Sequence, residues 1–168
     1  MAFTLYLMRH AKSDWSAADS SDFDRPINAR GERSAIAIGR WLVNNNHIPQ
    51  QIVSSPAMRA KQTTELVAAA FTGSSPDNIS YQQDLYLASV KMLSQLIHNH
   101  KTKLNSLMVV AHNPGLEDLV EHLLAESDNG ITSITTANMA IFEYPDSAFD
   151  INSDKGKLIQ FIRPNEIS

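Results

Sequence analysis

Two short apolar runs constrain the fold of this chain more than any other feature of its sequence. Residues 3–8 and 107–111 are almost continuously apolar, which is typical of strands that are buried on both faces of a parallel sheet. Segments with apolar residues at helical spacing lie between them and alternate with further strand-like segments. The sequence therefore predicts an α/β fold, a three-layer αβα sandwich with a mostly parallel central sheet.

Residues 1–168 are predicted to form a single domain, because 168 residues is the length of one ordinary domain. Three helix starts are marked by a capping side chain or a proline before apolar residues at helical spacing, at Asn28, at Ser55-Pro56 and at Asn113-Pro114. The remaining predicted elements are a helix near residues 90–97, strands at 52–54, 79–81, 137–144 and 157–163, and a Gly-Ser-Ser-Pro break at 73–76.

Composition excludes several classes of function. The chain has no cysteine, so a disulfide, a thiolate metal site and a cysteine nucleophile are ruled out. Its net charge is −4 and its Lys and Arg residues form no cluster in the sequence, which argues against a nucleic-acid partner. No run of about 18 apolar residues is present to cross a membrane, and the first residues do not resemble a signal peptide. We therefore expect a cytoplasmic protein without a membrane partner.

Basic and imidazole side chains follow three of the strand-like runs. Arg9 and His10 end the first run, and His112 follows the most apolar one. Arg59 lies in the predicted opening turn of the helix after residues 52–54. Because the ligand crevice of an open α/β sheet lies at the carboxyl ends of its strands, we expect these groups to converge there. Two guanidiniums, two imidazoles and nearby helix N-termini are typical of a site for a phosphate group.

A long polar segment, residues 11–26, separates the first strand from the first helix. It is rich in Ser and Asp and has no periodicity. Long loops inside compact domains are often functional. The sequence thus indicates a functional surface loop, in which Trp15 is a candidate wall of the phosphate site.

Three segments resemble the motifs of the histidine phosphatase superfamily, in the order in which the family has them. The segment LMRHAKSDWS at 7–16 is similar to its Arg-His-Gly opening motif, SSPAMRAKQT at 54–63 to its second motif and VAHNPG at 110–115 to its third. The short length and the segment DRPINARG at 24–31 are similar to the small SixA-type phosphohistidine phosphatase branch. The resemblance implies a phosphoglycerate mutase-like fold.

Carried over onto the matching positions, the resemblance implies that His10 attacks phosphorus and becomes a phosphohistidine intermediate. Arg9, Arg59 and His112 would surround the transferring group, with His112 protonated as a hydrogen-bond donor. For attack, His10 must present one neutral ring nitrogen, so its other nitrogen is expected to donate to a backbone carbonyl. The resemblance implies no metal and no cofactor, because guanidiniums supply the positive charge.

Three further residues are candidates for binding the substrate. Ser16 stands where some relatives have an asparagine that contacts phosphate, although it could instead form a turn or cap. Asn113 belongs to the third motif. Arg25 lies in the polar loop, where an ion pair that anchors the loop is the alternative to a substrate contact.

The sequence departs from the larger family members at the general acid. Those members use a Glu between the second and third motifs, whereas the comparable stretch here is DLYL at 84–87. Asp84, Asp14 and Asp24 are the candidate acids, and the sequence does not choose among them. A phosphorylated imidazole needs no such acid, because it departs as neutral imidazole when its other nitrogen is protonated.

These observations predict a metal-independent phosphohistidine phosphatase that acts on a phosphorylated protein, such as a histidine phosphotransfer domain in a signalling relay. One alternative is a phosphatase for small phosphate esters. Another is a catalytically silent module that binds phosphorylated partners. A metal site at His98 and His100 is disfavoured, because the sequence offers no third ligand nearby.

Overall fold

The computed structural model of the protein describes residues 2–16, 21–71, 78–126, 131 and 133–167. The strands within these ranges are β1 (Phe3–Arg9), β2 (Gln51–Ser54), β3 (Ile79–Tyr81), β4 (Ser106–Ala111), β5 (Met139–Tyr144) and β6 (Lys157–Ile162). The α-helices there are α1 (Ala29–Asn44), α2 (Met58–Ala68), α3 (Val90–Lys101) and α4 (Gly115–Leu123). The predicted break at residues 73–76 lies outside the described residues.

The strands form one sheet in the order β3-β2-β4-β1-β5-β6. β1 pairs in parallel with β4, β4 with β2 and β2 with β3, whereas β5 runs antiparallel to its neighbours β1 and β6. The parallel register joins Arg9 to Ala111 and Ser54 to Val110. The carboxyl ends of β1, β4 and β2 therefore lie side by side, and the predicted, mostly parallel sheet is confirmed.

Alternate side chains of β1 enter two separate apolar cores. Leu5 and Leu7 belong to the core that α3 and α4 cover, while Tyr6 and Met8 belong to the core beneath α1 and α2. Burial on both faces explains why the first strand reads as a continuous apolar run. The helices on the two faces confirm the predicted three-layer αβα architecture. In the described part of the chain, every helix is too short or too polar to cross a lipid bilayer.

The first two helix starts differ in how well the sequence predicts them. Asn28 caps α1 as expected, because its side-chain oxygen accepts a 2.8 Å hydrogen bond from the Gly31 N–H. α2 instead begins after Ala57, which has a φ of −55° and a ψ of 142°, and it has no side-chain cap. The prediction that Ser55 caps this helix is wrong, because the buried Ser55 hydroxyl contacts His112.

The start of α4 also differs from the prediction. Pro114 occupies the N-cap position and Gly115 is the first helical residue, so the helix begins one residue later than the Asn113-Pro114 signal predicts. The Asn113 side-chain oxygen still accepts a 3.2 Å hydrogen bond from the Glu117 N–H. Asn113 is thereby tied to the helix that follows the strand β4.

Candidate active site

His10 directly follows β1, and a backbone carbonyl fixes the orientation of its ring. Its Nδ1 lies 2.8 Å from the carbonyl oxygen of Ala11. Because a carbonyl only accepts, Nδ1 carries the proton and Nε2 the lone pair. The Ala11 N–H donates in turn to Thr63 Oγ1 in α2 at 2.9 Å, which holds the orienting peptide in place. The prediction that His10 donates to a backbone carbonyl is confirmed.

The ring of His10 is neutral near neutral pH. Only 7% of the residue is exposed, and this burial, together with His112, Arg59 and Arg9, lowers its pKa to about 3. Each of these neighbours disfavours a positive charge on the ring. A neutral imidazole with a free lone pair is the form that attacks an electrophile.

His112 follows β4 and lies beside His10, with 5.2 Å between the ring centroids. Its Nδ1 is 3.4 Å from a terminal nitrogen of Arg59, and its Nε2 is 2.7 Å from Ser55 Oγ. Because a guanidinium only donates, Nδ1 accepts and the Nε2–H donates to Ser55. Burial, followed by the charge of Arg59, lowers the pKa of His112 to about 4. His112 is therefore neutral in this structure, and its protonation beside a bound phosphoryl group stays a prediction.

Arg59 lies in the first turn of α2 and is 3% exposed. Its guanidinium donates to the main-chain oxygen of Asp22 and, at 3.1 Å, to the Asp22 carboxylate. The Tyr86 hydroxyl and Arg25 donate to the same carboxylate. The hydrogen bond from Tyr86, together with the two arginines, holds the pKa of Asp22 well below its usual range. Asp22 is therefore a counter-ion for the arginines and a poor proton donor.

Arg9, the last residue of β1, and Asn113 bind the same carbonyl group. Arg9 Nη1 donates to the Ile134 oxygen at 3.1 Å, and Asn113 Nδ2 donates to it at 2.8 Å. A Glu117 carboxylate oxygen accepts from the Ile134 N–H at 2.8 Å. Burial lowers the pKa of Arg9, and the Glu117 charge opposes that shift. The segment before β5 thus fixes both side chains relative to α4.

A cavity of about 410 Å³, called the His10 cavity below, lies at these strand ends. Its lining residues are Arg9, His10, Lys12, Ser13, Trp15, Arg25, Arg59, Leu87, His112, Asn113, Thr135 and Thr136. Among these described residues there is no Asp or Glu. The buried Nε atoms of Arg9 and Arg25 have no hydrogen-bond partner in the described structure. Three arginines and Lys12 line the cavity and supply positive charge and several donors, so the arrangement suits an oxyanion with several acceptor atoms.

The His10 cavity brings together all of the predicted site residues except Ser16. The exposed Ser16 donates to Asp14 with both its hydroxyl and its backbone N–H. Arg25 forms a 2.8 Å ion pair with Asp22, as one of the two predicted alternatives expects, and it also lines the cavity. A substrate contact by Ser16, Arg25 or Asn113 stays a prediction.

The three candidate acids lie outside the described lining of the His10 cavity. Asp84 lines a separate cavity beside α3. Asp14 accepts from Ser16, and Asp24 accepts from Ser21 at 2.9 Å. A general acid therefore has no assigned residue in this structure.

Asp22, Tyr86 and Ser55 contact the residues of this site, although nothing in the sequence marks them. Asp22 belongs to a loop where no local pattern distinguishes it from the other Ser and Asp residues. Each contact joins residues far apart in the sequence, with separations of 37 positions for Arg59 and Asp22, 64 for Asp22 and Tyr86, and 57 for Ser55 and His112. A single sequence carries no signal that links such positions.

The family model described as histidine phosphatase superfamily (branch 1) matches residues 5–85. A solved structure from Agrobacterium tumefaciens, provisionally named phosphohistidine phosphatase SixA, is 30% identical, with a TM-score of 0.82 over 96% of this chain and 98% of that chain. The protein histidine phosphatase SixA, solved in complex with tungstate, is 24% identical, with a TM-score of 0.79 over 98% and 99% of the two chains.

A phosphoglycerate mutase from Bacillus anthracis shares the fold at 16% identity, with a TM-score of 0.64 over 87% of this chain and 89% of that chain. This confirms the predicted phosphoglycerate mutase-like architecture. Among curated sequences, an uncharacterized chloroplastic protein of Arabidopsis thaliana is 27% identical over 146 residues, or 83% of this chain. An uncharacterized protein of Mycobacterium tuberculosis is 35% identical over 107 residues, or 64% of this chain. The chain spans 65% and 63% of the lengths of these two relatives.

Proposed function

The chain belongs to branch 1 of the histidine phosphatase superfamily, and from that premise we propose that it removes phosphoryl groups from phosphohistidine in proteins. The observation that carries this proposal is the neutral His10, whose Nδ1 donates to a carbonyl beside two arginines. The tungstate complex of a SixA protein supports it, because tungstate is a tetrahedral oxyanion of the same shape as phosphate.

In this mechanism the lone pair on His10 Nε2 attacks phosphorus in line with the bond to the substrate imidazole. The P–N bond of the substrate breaks, and the imidazole leaves as a neutral group that keeps its proton. Arg9 and Arg59 stabilise the charge on the equatorial oxygens. Water then attacks the phosphorus of phospho-His10, which releases inorganic phosphate and restores the neutral ring.

His112 is proposed to act as a hydrogen-bond donor in this reaction. A phosphoryl dianion in the His10 cavity would favour a positive charge on this ring and raise its pKa from about 4. The protonated ring could then donate to a phosphoryl oxygen. Ser55 would keep the orientation of His112 through its contact with Nε2.

The lining of the His10 cavity favours phosphohistidine over phosphate esters. An alkoxide leaving group needs a proton from the enzyme, whereas a protonated imidazole does not. The described lining residues include no carboxyl group that could supply that proton. The proposed partner is accordingly a phosphorylated protein such as a histidine phosphotransfer domain, and the cytoplasm is the proposed location.

The test measures phosphate release from a phosphohistidine protein and from an alkyl phosphate such as glycerol phosphate, whose alkoxide leaving group needs a proton, without added metal. We expect rapid release from phosphohistidine, weak ester hydrolysis, and a loss on the order of 10³-fold or more in His10→Ala. His98→Ala, which changes an exposed histidine of α3, is the matched control. An acid-labile phosphoenzyme should form in rapid-quench experiments with the wild type and be missing from His10→Ala.

Two results would contradict the proposed function. Ester hydrolysis as fast as phosphohistidine hydrolysis would identify a small-molecule phosphatase. Tight binding of phosphohistidine protein with no turnover would identify a phosphate-binding module.

A further inference from the structure

A second cavity, of about 580 Å³, adjoins the His10 cavity and shares Lys12, Thr135 and Thr136 with it. Arg30 and Arg33 of α1 also line this second cavity. We call the part lined by Lys12, Arg30 and Arg33 the basic groove. Because the two cavities share a wall, a large ligand with its phosphoryl group in the His10 cavity can extend over the groove.

The basic groove concentrates positive charge on a chain whose net charge is −4. The described residues that line the second cavity, to which the groove belongs, include no Asp or Glu. None of the ion pairs found within the described ranges includes Lys12, Arg30 or Arg33. A cleft lined by one sign of charge attracts a ligand of the opposite sign. The groove therefore suits an acidic ligand.

The rim of the His10 cavity favours a protein as that ligand. Trp15 is 73% exposed, Leu87 is 56% exposed, and both line the cavity. The guanidinium of Arg25 lies over the Trp15 ring, 3.7 Å from its centroid. Exposed aromatic and apolar side chains beside arginine are typical of protein interfaces. A small molecule is instead bound by side chains that enclose most of its surface.

We propose that the basic groove is the docking surface for an acidic patch beside the phosphohistidine of a protein substrate. This inference rests on the proposed function, because it describes how the protein that carries the phosphohistidine is bound. The acidic patch contacts Arg30, Arg33 and Lys12, while the phosphohistidine enters the His10 cavity past Trp15 and Leu87. Charge complementarity of this kind increases the association rate and the specificity. It selects the substrate without changing the chemistry at His10.

The test uses the double variant Arg30→Glu/Arg33→Glu. The probe is a histidine phosphotransfer domain with acidic residues beside its histidine, phosphorylated with phosphoramidate. Its Kd is measured with the His10→Ala enzyme, with and without the groove substitutions, so that binding is observed without turnover. Its kcat/KM is measured with the enzyme that retains His10. Hydrolysis of phosphoramidate itself measures the chemistry alone.

We expect the groove substitutions to raise Kd and lower kcat/KM by about 10-fold or more at low salt. The effect should shrink as salt is added, because ions screen exposed charges. Phosphoramidate hydrolysis should stay within about twofold, since exposed charges outside the His10 cavity do not touch the reacting group. The control, Arg40→Glu/Lys103→Glu, changes the net charge equally at exposed positions that line neither cavity.

Three results would overturn the docking proposal: an unchanged Kd, an equal rise of Kd in the control pair, or an equal loss of phosphoramidate hydrolysis. Failure of the proposed function is distinguishable from these. If the wild type releases no phosphate from the probe while the groove substitutions weaken binding to the His10→Ala enzyme, the proposed reaction is wrong and the docking surface stands.

Discussion

The His10 cavity and the basic groove share a wall, yet their charged side chains are positioned in different ways. Arg59 in the cavity is 3% exposed, donates to Asp22 and contacts His112. Arg30 and Arg33 in the groove are exposed on α1. A buried charge is tolerated only when it is paired or hydrogen-bonded, whereas an exposed charge is stabilised by water. We infer that the fold sets the geometry of the cavity, while the groove side chains adapt to a partner.

The proposed chemistry thus takes place in the His10 cavity, whereas the proposed recognition of the partner protein takes place in the basic groove. A change in the cavity should affect every substrate, because all of them present the same phosphoryl group. A change in the groove should affect only a substrate large enough to reach it.

After the loss of His10 itself, Arg59→Ala has the largest expected effect on the His10 cavity. The substitution removes the guanidinium that is proposed to bind the phosphoryl oxygens and leaves the Asp22 carboxylate without its buried partner. We expect kcat/KM for phosphate release to fall on the order of 10²–10³-fold, equally for a phosphohistidine protein and for phosphoramidate. Arg40→Ala, at an exposed position of α1, is the control. A loss restricted to the protein substrate would instead place Arg59 in the recognition surface.

Gly31→Ala tests the close contact between α1 and the backbone of Lys12, a residue that lines both the His10 cavity and the basic groove. A Cβ on the buried Gly31 would lie 2.4 Å from the carbonyl oxygen of Lys12, so the loop that carries Lys12 must shift. We expect the free energy of unfolding to fall by about 1–3 kcal/mol, although Ala is the better helix former. Urea denaturation measures the change, and Arg40→Ala should stay within about 0.5 kcal/mol of the wild type. Unchanged stability would show that the Lys12 backbone moves freely.

The two cavity histidines should make stability depend on pH. Burial lowers their pKa values from 6.5 to about 3 for His10 and about 4 for His112. As the pH falls below 6.5, the unfolded chain binds protons that the folded chain does not. Above about pH 6.5 the two histidines therefore do not change the free energy of unfolding. Below it, that free energy falls as the pH approaches the pKa values of the two histidines in the folded chain.

We expect a decrease in the free energy of unfolding on the order of 1–2 kcal/mol per histidine between pH 7 and pH 5. Urea denaturation at the two pH values measures it. The free energy of unfolding of His10→Gln should decrease less than that of the wild type. That of the control His98→Gln, at an exposed position, should decrease as much as that of the wild type. An identical decrease in His10→Gln would mean that His10 does not have a lowered pKa.

Asp22→Asn has the smallest expected effect and concerns the border of the His10 cavity. The Asp22 carboxylate accepts from Arg59 and Arg25, which are donors that a phosphate would use. Asparagine keeps the size but removes the charge, so inorganic phosphate should inhibit the enzyme at a concentration about 2–5-fold lower. Asp84→Asn, beside a separate cavity, is the control. Weaker inhibition would show that Asp22 mainly positions Arg59.

The fold was predictable because its signals are local or periodic. Alternate burial of Leu5 and Tyr6 in opposite cores requires apolar residues at every position of β1, and this is visible in the sequence. Asn28 was predictable as a cap, because its partner Gly31 is three positions away. Ser55 presents the same kind of signal, but its hydroxyl contacts His112, which follows the neighbouring strand β4.

By itself, the sequence determined the layers of the sandwich and which side chains follow its strand ends. Arg9, His10 and His112 gather because parallel strands end at one edge of a sheet, so a motif after each strand places its side chain there. Only the tertiary structure decided the pairing of Arg59 with Asp22, the neutral state of His112 and the position of Ser16 outside the cavity. These properties depend on burial and on contacts between distant segments, which arise when the loops pack against the folded sheet.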